Sequence, residues 1–228
     1  MNGPYRRDLE VIAGFAAIPW ERLQASSILL SGATGLIGSL LVDAILYKNA
    51  HDGLDCRVIA LGRSREKAQT RFGYCWDDPC FRFVACDINQ PASLPADLSA
   101  DYVLHLASNT HPVAYATDPI GTITANIVGT QNMLDVAVRS GARRFLFASS
   151  NEVYGENRGD AELFDEAYCG YIDCNTLRAG YPESKRCGEA LCQAYKRQKG
   201  LDVVGALWYN SLILRSWIGF RRICAARF

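Results

Sequence analysis

The sequence predicts an α/β fold, a doubly wound parallel sheet with flanking helices. Three observations lead there. Short apolar runs alternate with stretches of helical period. The runs are continuous rather than alternating, as in strands buried on both faces. A glycine-rich loop joins the first apolar run directly to the first helical stretch. Short connections between such units favour parallel neighbours.

Each element can be justified in order. The opening "MNGPYRRDLEVIAGFAAIPWERL" reads as a leading helix packed on the domain, an extension over residues 1–25. Its apolar run is preceded by Asp8 and Glu10 and broken by Pro19, Trp20 and Glu21. It is too short to span a bilayer and lacks a small-residue cleavage site. "SILLSG" is the first strand and "LIGSLLVDAILYKNA" the first core helix. "CRVIALG" is a second strand, followed by the helix "SREKAQTRF". "FRFVACD" and "DYVLHLAS" are the third and fourth strands. "PIGTITANIVGTQNMLDVAVRSG" is one long helix ended by Gly141. "RRFLFASS" is the fifth strand, "YPESKRCGEALCQAYKRQKG" a helix closed by Gly200, and "LDVVGALW" a sixth strand. No repeat, low-complexity tract or linker divides residues 26–206, which are expected to form one nucleotide-binding domain.

Composition narrows the function classes. Apolar residues make up 49% and charged residues 21%, as in a globular chain. Twenty-four basic residues balance 24 acidic ones, so bulk charge draws the chain to neither nucleic acid nor an anionic membrane. The nine cysteines include no Cys-x-x-Cys pair, and with three histidines there is no zinc-ligand spacing. Reduced thiols, no metal site and a cytoplasmic protein are expected.

The first strand runs into "GATGLIGS". Gly32, Gly35 and Gly38 supply a tight turn, close backbone approach to a pyrophosphate and a helix N-terminus facing the anion. At the end of the second strand an acidic residue would meet a ribose diol. Here Gly62, Arg63 and Ser64 stand instead. A guanidinium and a hydroxyl suit a 2′-phosphate, so Arg63 leans the cofactor expectation towards NADP over NAD. Arg63 stacking on adenine or facing solvent is the alternative. Asp87, in "ACDIN", is placed to accept from an adenine amino group or to cap a turn.

Taken together, "GATGLIG" at 32–38, "DI" at 87–88, "HLAS" at 105–108, "NIVGT" at 126–130, "SSNEVYG" at 149–155 and "YPESK" at 181–185 resemble the extended short-chain dehydrogenases/reductases, the NAD-dependent epimerase/dehydratase group. The resemblance covers about 25 to about 205. It implies a Rossmann-like domain binding NAD or NADP, and a nucleotide-sugar substrate held by a smaller C-terminal domain. It assigns Gly32, Thr34, Gly35, Leu36, Ile37 and Gly38 to the pyrophosphate loop, and Asp87 and Ile88 to the adenine. Leu106, Ala107 and Ser108 would lie along the cofactor, and Asn126 would support the active site. Ser150, Tyr181 and Lys185 would form the catalytic trio, with Tyr181 and Lys185 also touching the cofactor. A homodimer through two long helices per subunit is expected by analogy alone.

The chemistry explains these residue types. Oxidising a sugar hydroxyl takes a proton from oxygen and a hydride from carbon. Tyrosine is a poor base at its free pKa of about 10. A lysine one helical turn away shares its face and is expected to favour tyrosinate. Ser150 would orient the substrate oxygen. Asn151 and Glu152 follow it. Relatives that dehydrate sugars carry an acid pair such as Asp-Glu, or Ser-Glu, at these positions, and decarboxylases commonly carry Ser-Glu. Glu152 keeps a carboxylate that could move a proton at C5. The pair thus fits a decarboxylase or a Ser-Glu type dehydratase better than a plain epimerase. A glutamate binding substrate passively is the alternative. Two further readings are a non-catalytic dinucleotide-binding protein and an NADPH-dependent reductase of a non-sugar carbonyl.

After "GLDVV" the resemblance stops. The Tyr-Gly-Pro segment of the family is absent, and no acidic residue follows Asp202, whereas Arg215, Arg221, Arg222 and Arg227 appear. Residues 207–228 are therefore expected to be an atypical tail, from truncation or a frame shift, in place of the substrate domain.

Overall fold

The computed structural model describes residues 3–110, 112–208 and 226–227. Six strands form a parallel sheet: β1 (Ser27–Ser31), β2 (Arg57–Gly62), β3 (Phe81–Ala85), β4 (Tyr102–His105), β5 (Arg144–Ser150) and β6 (Val203–Trp208). A two-residue strand, β7 (Ala226–Arg227), pairs antiparallel with β6. The order β3-β2-β1-β4-β5-β6-β7 reverses direction at β1. In such sheets ligands bind beyond the carboxyl ends of the strands at that reversal.

The helices are α1 (Gly3–Ala13), α2 (Leu36–Asp52), α3 (Arg65–Phe72), α4 (Pro112–Thr117), α5 (Pro119–Thr124), α6 (Thr130–Ser140) and α7 (Gly180–Lys199). All five residues of β1 are buried, as a doubly covered strand requires. Alternation along β1 decides which residue meets which layer. Ile28 and Leu30 join Val42, Ile45 and Phe72 on one face. Leu29 joins Met133, Phe145 and Cys192 on the other. The sequence expectation of a doubly wound, Rossmann-like sheet is met.

Helix α1 packs Leu9 and Ile12 beside Ala44 of α2. A buried carboxylate ties this extension down: Asp43 accepts from the Tyr5 and Tyr74 hydroxyls and pairs with Arg71 of α3. A carboxylate so deep in the fold needs donors of this kind.

Two features differ from the sequence reading. The helix α4 arises in a stretch left without an element. The single long helix is instead α5 and α6 joined by one π-type turn (Ala125–Gly129). The extra residue in that turn accommodates tight packing, for a Cβ on Gly129 would lie 2.8 Å from Cδ1 of Ile88. Strand β6 runs to Trp208, within the stretch read as the sixth strand. Beyond it, residues 209–225 and 228 of the expected tail lie outside the described residues, Arg215, Arg221 and Arg222 among them. Every described cysteine is free. Among the described residues no helix is long and apolar enough to cross a membrane.

Candidate active site

The strand ends converge on one cleft of about 460 Å³. Its floor is the loop between β1 and α2. Gly32 adopts φ 75°, a left-handed value natural only to glycine. A Cβ on Gly32 would lie 2.8 Å from the Ala107 amide nitrogen, and one on Gly38 only 2.3 Å from the Gly32 carbonyl oxygen. The loop is thus closed on itself and against the end of β4. Thr34, Gly35 and Leu36 are exposed in the cleft, with Ile37 and Gly38 behind them at the start of α2. This cradle fits a pyrophosphate.

From this loop the cleft extends both ways. On one side lie Arg63 after β2, exposed at the mouth, and Asp87 and Ile88 after β3. One oxygen of Asp87 accepts from the Asn89 amide at 3.0 Å, the turn-capping role that was the alternative to an adenine contact, and the residue also lines the cleft. Ser64 is not among the residues lining the cleft. Its hydroxyl caps α3 by accepting from the Lys67 amide at 3.1 Å. On the other side lie Leu106, Ala107 and Ser108 after β4, then Ser150, Glu152, Tyr181 and Lys185.

The far end is built by β5, the turn after it and α7. Pro182 falls in the first turn of α7, where no helical hydrogen bond is lost. Gly188 lets α7 close on β5, since a Cβ there would meet Cζ of Phe147 at 2.5 Å. That approach buries Lys185, whose Nζ donates to the Ala148 carbonyl at 2.8 Å and lies 4.8 Å from the centre of the Phe147 ring. Burial pushes the Lys185 amine down to about 7, with Cys192 and Glu189 pulling the other way.

Tyr181 departs from the expectation that Lys185 lowers its pKa. Burial holds the Tyr181 hydroxyl above its ordinary value, Ser150 hydrogen-bonding pulls it down, Glu152 and Tyr115 push it up, and Arg178 pulls it down. Lys185 is turned towards Ala148, with Nζ 5.9 Å from the Tyr181 ring centre. Spacing of four along a helix sets the shared face but not where a long side chain ends.

Asn126, on the π-type turn, is fully buried. It accepts from the Ser108 hydroxyl at 2.7 Å and donates to Ser184 of α7 at 2.9 Å. Its carbonyl accepts from Thr130 at 2.6 Å, which spends that hydroxyl's proton. The His105 Nε2 therefore donates to Thr130, at 3.1 Å, and Nδ1 accepts from Ser31, at 2.7 Å. The ring is neutral: burial, then the Lys185 charge, pushes His105 down to about 3. This chain joins β1, β4, the π-type turn and α7 beneath the cleft.

Sequence reasoning missed Arg178 and Tyr115. Arg178 pairs with Glu152 at 2.9 Å, and Tyr115 stacks on Tyr181 with ring centres 5.4 Å apart. Arg178 lies three residues before Tyr181 on a single 3₁₀ turn, and Tyr115 is far away in the chain, so no periodicity announces either.

Comparison with known proteins adds to this geometry. The sequence pattern of the NAD dependent epimerase/dehydratase family matches residues 28–212. UDP-glucuronic acid decarboxylase 3 of Arabidopsis thaliana is 33% identical over 184 residues, 81% of this chain and 50% of that one. UDP-glucuronic acid decarboxylase 1 of Danio rerio is also 33% identical, over 81% of this chain and 41% of its own length. The chain spans about half the length of the curated relatives it matches. Among solved structures, DesIV, a dTDP-glucose 4,6-dehydratase from Streptomyces venezuelae with NAD bound, superposes with a TM-score of 0.67. It is 28% identical and covers 79% of this chain and 55% of that one. A UDP-glucuronic acid 4-epimerase from Bacillus cereus in complex with NAD gives 0.62 and 26% identity, over 80% of this chain and 55% of that one.

Proposed function

Because the chain belongs to the NAD-dependent epimerase/dehydratase family, we propose that it is the catalytic and cofactor-binding part of a nucleotide-sugar enzyme acting by transient oxidation at C4, with a decarboxylase or dehydratase favoured. The observation that carries this reading is the sharing of one cleft by the glycine loop and by Ser150, Glu152, Tyr181 and Lys185. The nucleotide-sugar activities of the 33%-identical relatives support it.

The residues present fit NAD(P). Gly32, Gly35 and Gly38 would hold the pyrophosphate, Asp87 and Ile88 the adenine end, and Lys185 a hydroxyl of the nicotinamide ribose. Arg63 is the group that would meet a 2′-phosphate. Bound there, the nicotinamide would supply a hydride acceptor and donor. Tyr181 takes the proton of the sugar hydroxyl and later returns it. Ser150 orients that oxygen. With a carbonyl at C4, Glu152 moves a proton at C5, which a neighbouring ketone makes acidic.

The test is a titration of the folded chain with NAD and with NADP, then incubation with UDP-, dTDP-, GDP- and CDP-sugars including UDP-glucuronate. Carbon dioxide release marks a decarboxylase and loss of water a dehydratase. Net consumption of NADPH on a non-sugar carbonyl would support a reductase. Cofactor binding without turnover would support a non-catalytic dinucleotide-binding protein. A folded chain that binds neither nucleotide overturns the proposal.

A further inference from the structure

Arg178 stands on the short 3₁₀ turn Leu177–Ala179 that leads into α7. Its guanidinium pairs with the Glu152 carboxylate at 2.9 Å, and its Cζ lies 5.0 Å from the centre of the Tyr115 ring. Tyr115 in turn stacks on Tyr181, with an interplanar angle of 23°. Carboxylate, guanidinium and two rings thus form one continuous run from the cleft wall to Tyr181.

The function proposed above requires Glu152 as a carboxylate and Tyr181 as a base in the same cleft. Two acids side by side oppose each other's loss of a proton. A guanidinium paired with the carboxylate offsets that repulsion. It stays charged throughout the working pH range, and its edge can hold a carboxylate while its face lies on a ring. The Arg178 side chain is more than half exposed, so the pair adds little to fold stability. Its placement is better explained by what it does to the two acids.

We propose that Arg178 is a positioning residue of this site, holding the Glu152 carboxylate at the cleft wall beside the stacked Tyr115 and Tyr181 rings and offsetting its negative charge there. This rests on the reading that Glu152 and Tyr181 move protons, and adds the group that makes the two compatible. The groups facing Tyr181 are Ser150 and Glu152 from the end of β5 and the turn after it, Tyr115 from α4, Arg178 from the turn, and Lys185 on its own helix. Of these, Glu152 and Arg178 act on the Tyr181 hydroxyl in opposite directions.

The full chain, labelled with carbon-13 at tyrosine Cζ, lets Tyr181 be titrated by NMR, its signal assigned by its loss in Tyr181→Phe. In Arg178→Gln the Tyr181 midpoint should move to higher pH, and Arg178→Lys should recover part of that shift. In Glu152→Gln it should move to lower pH. An unmoved midpoint in folded Arg178→Gln overturns the proposal. Should Arg178→Gln fail to fold by circular dichroism, Glu152→Gln decides: a midpoint that does not fall overturns it. NAD and NADP titrations of the parent run alongside. Failure there sinks the functional reading and leaves the Tyr181 titrations to stand or fall separately.

Discussion

The Lys185 amine donates to the Ala148 carbonyl at 2.8 Å, deep between α7 and β5. A charge there is costly, which is why burial brings this amine down to about 7 from its ordinary 10.5. In the unfolded chain the lysine keeps its proton up to the ordinary value. Between those two pH values the unfolded chain binds a proton that the folded one does not, so stability rises with pH across the window, and the penalty is full below it. In urea unfolding at fixed pH, the parent should gain roughly 2–4 kcal/mol on Lys185→Met between about pH 7 and pH 10. A difference independent of pH would contradict the burial argument.

The buried histidine predicts the opposite edge. His105 is held neutral, with its pKa near 3 against an ordinary 6.5. As pH falls through that interval the unfolded chain takes up a proton that the folded one refuses. Stability is therefore lost on the acid side. His105→Asn, unable to take up that proton, should lose less stability than the parent between about pH 6.5 and pH 4, as read from thermal melts. Parallel acid profiles for the two proteins would refute this.

Gly38 tests the cradle. Its Cβ position is 2.3 Å from the Gly32 carbonyl oxygen, a backbone atom that cannot swing aside. Gly38→Ala should weaken NAD or NADP binding by at least about tenfold, roughly 1.4 kcal/mol, and lower the melting temperature. Isothermal titration and circular dichroism read the two effects. Unchanged affinity would mean that the loop does not hold the pyrophosphate.

Arg63 tests cofactor choice. It is the cation at the cleft mouth where a 2′-phosphate would lie. Arg63→Ala should cost NADP about tenfold in affinity while leaving NAD within about twofold. Equal losses for both would favour stacking on adenine instead.

Much of this molecule was legible because its signals are local. Continuous apolar runs announced β1 to β6, and the glycine triplet announced the loop that Gly32 and Gly38 close. Gly141 and Gly200 marked helix ends and do adopt left-handed caps, at φ 61° and 69°. Other features depend on partners distant in the chain. The π-type turn places Gly129 close against Ile88, a contact that no helical period encodes. Ser64, read as a partner for a 2′-phosphate, accepts from the Lys67 amide and caps α3. Arg178 and Tyr115 gave no pattern at all.

By itself, the sequence determined the order of strands and helices, the glycine loop between β1 and α2, and the residue types Ser150, Glu152, Tyr181 and Lys185. These follow from periodicity and from backbone freedom, which act over a few residues. Tertiary structure alone decided where the charges sit. Closure of α7 on Phe147 through Gly188 set the Lys185 amine against the Ala148 carbonyl, and the fold set Arg178 against Glu152. The reason is that burial and charge pairing act through space, so a spacing such as Tyr-x-x-x-Lys fixes a helix face and leaves its electrostatics to the neighbours that pack on it.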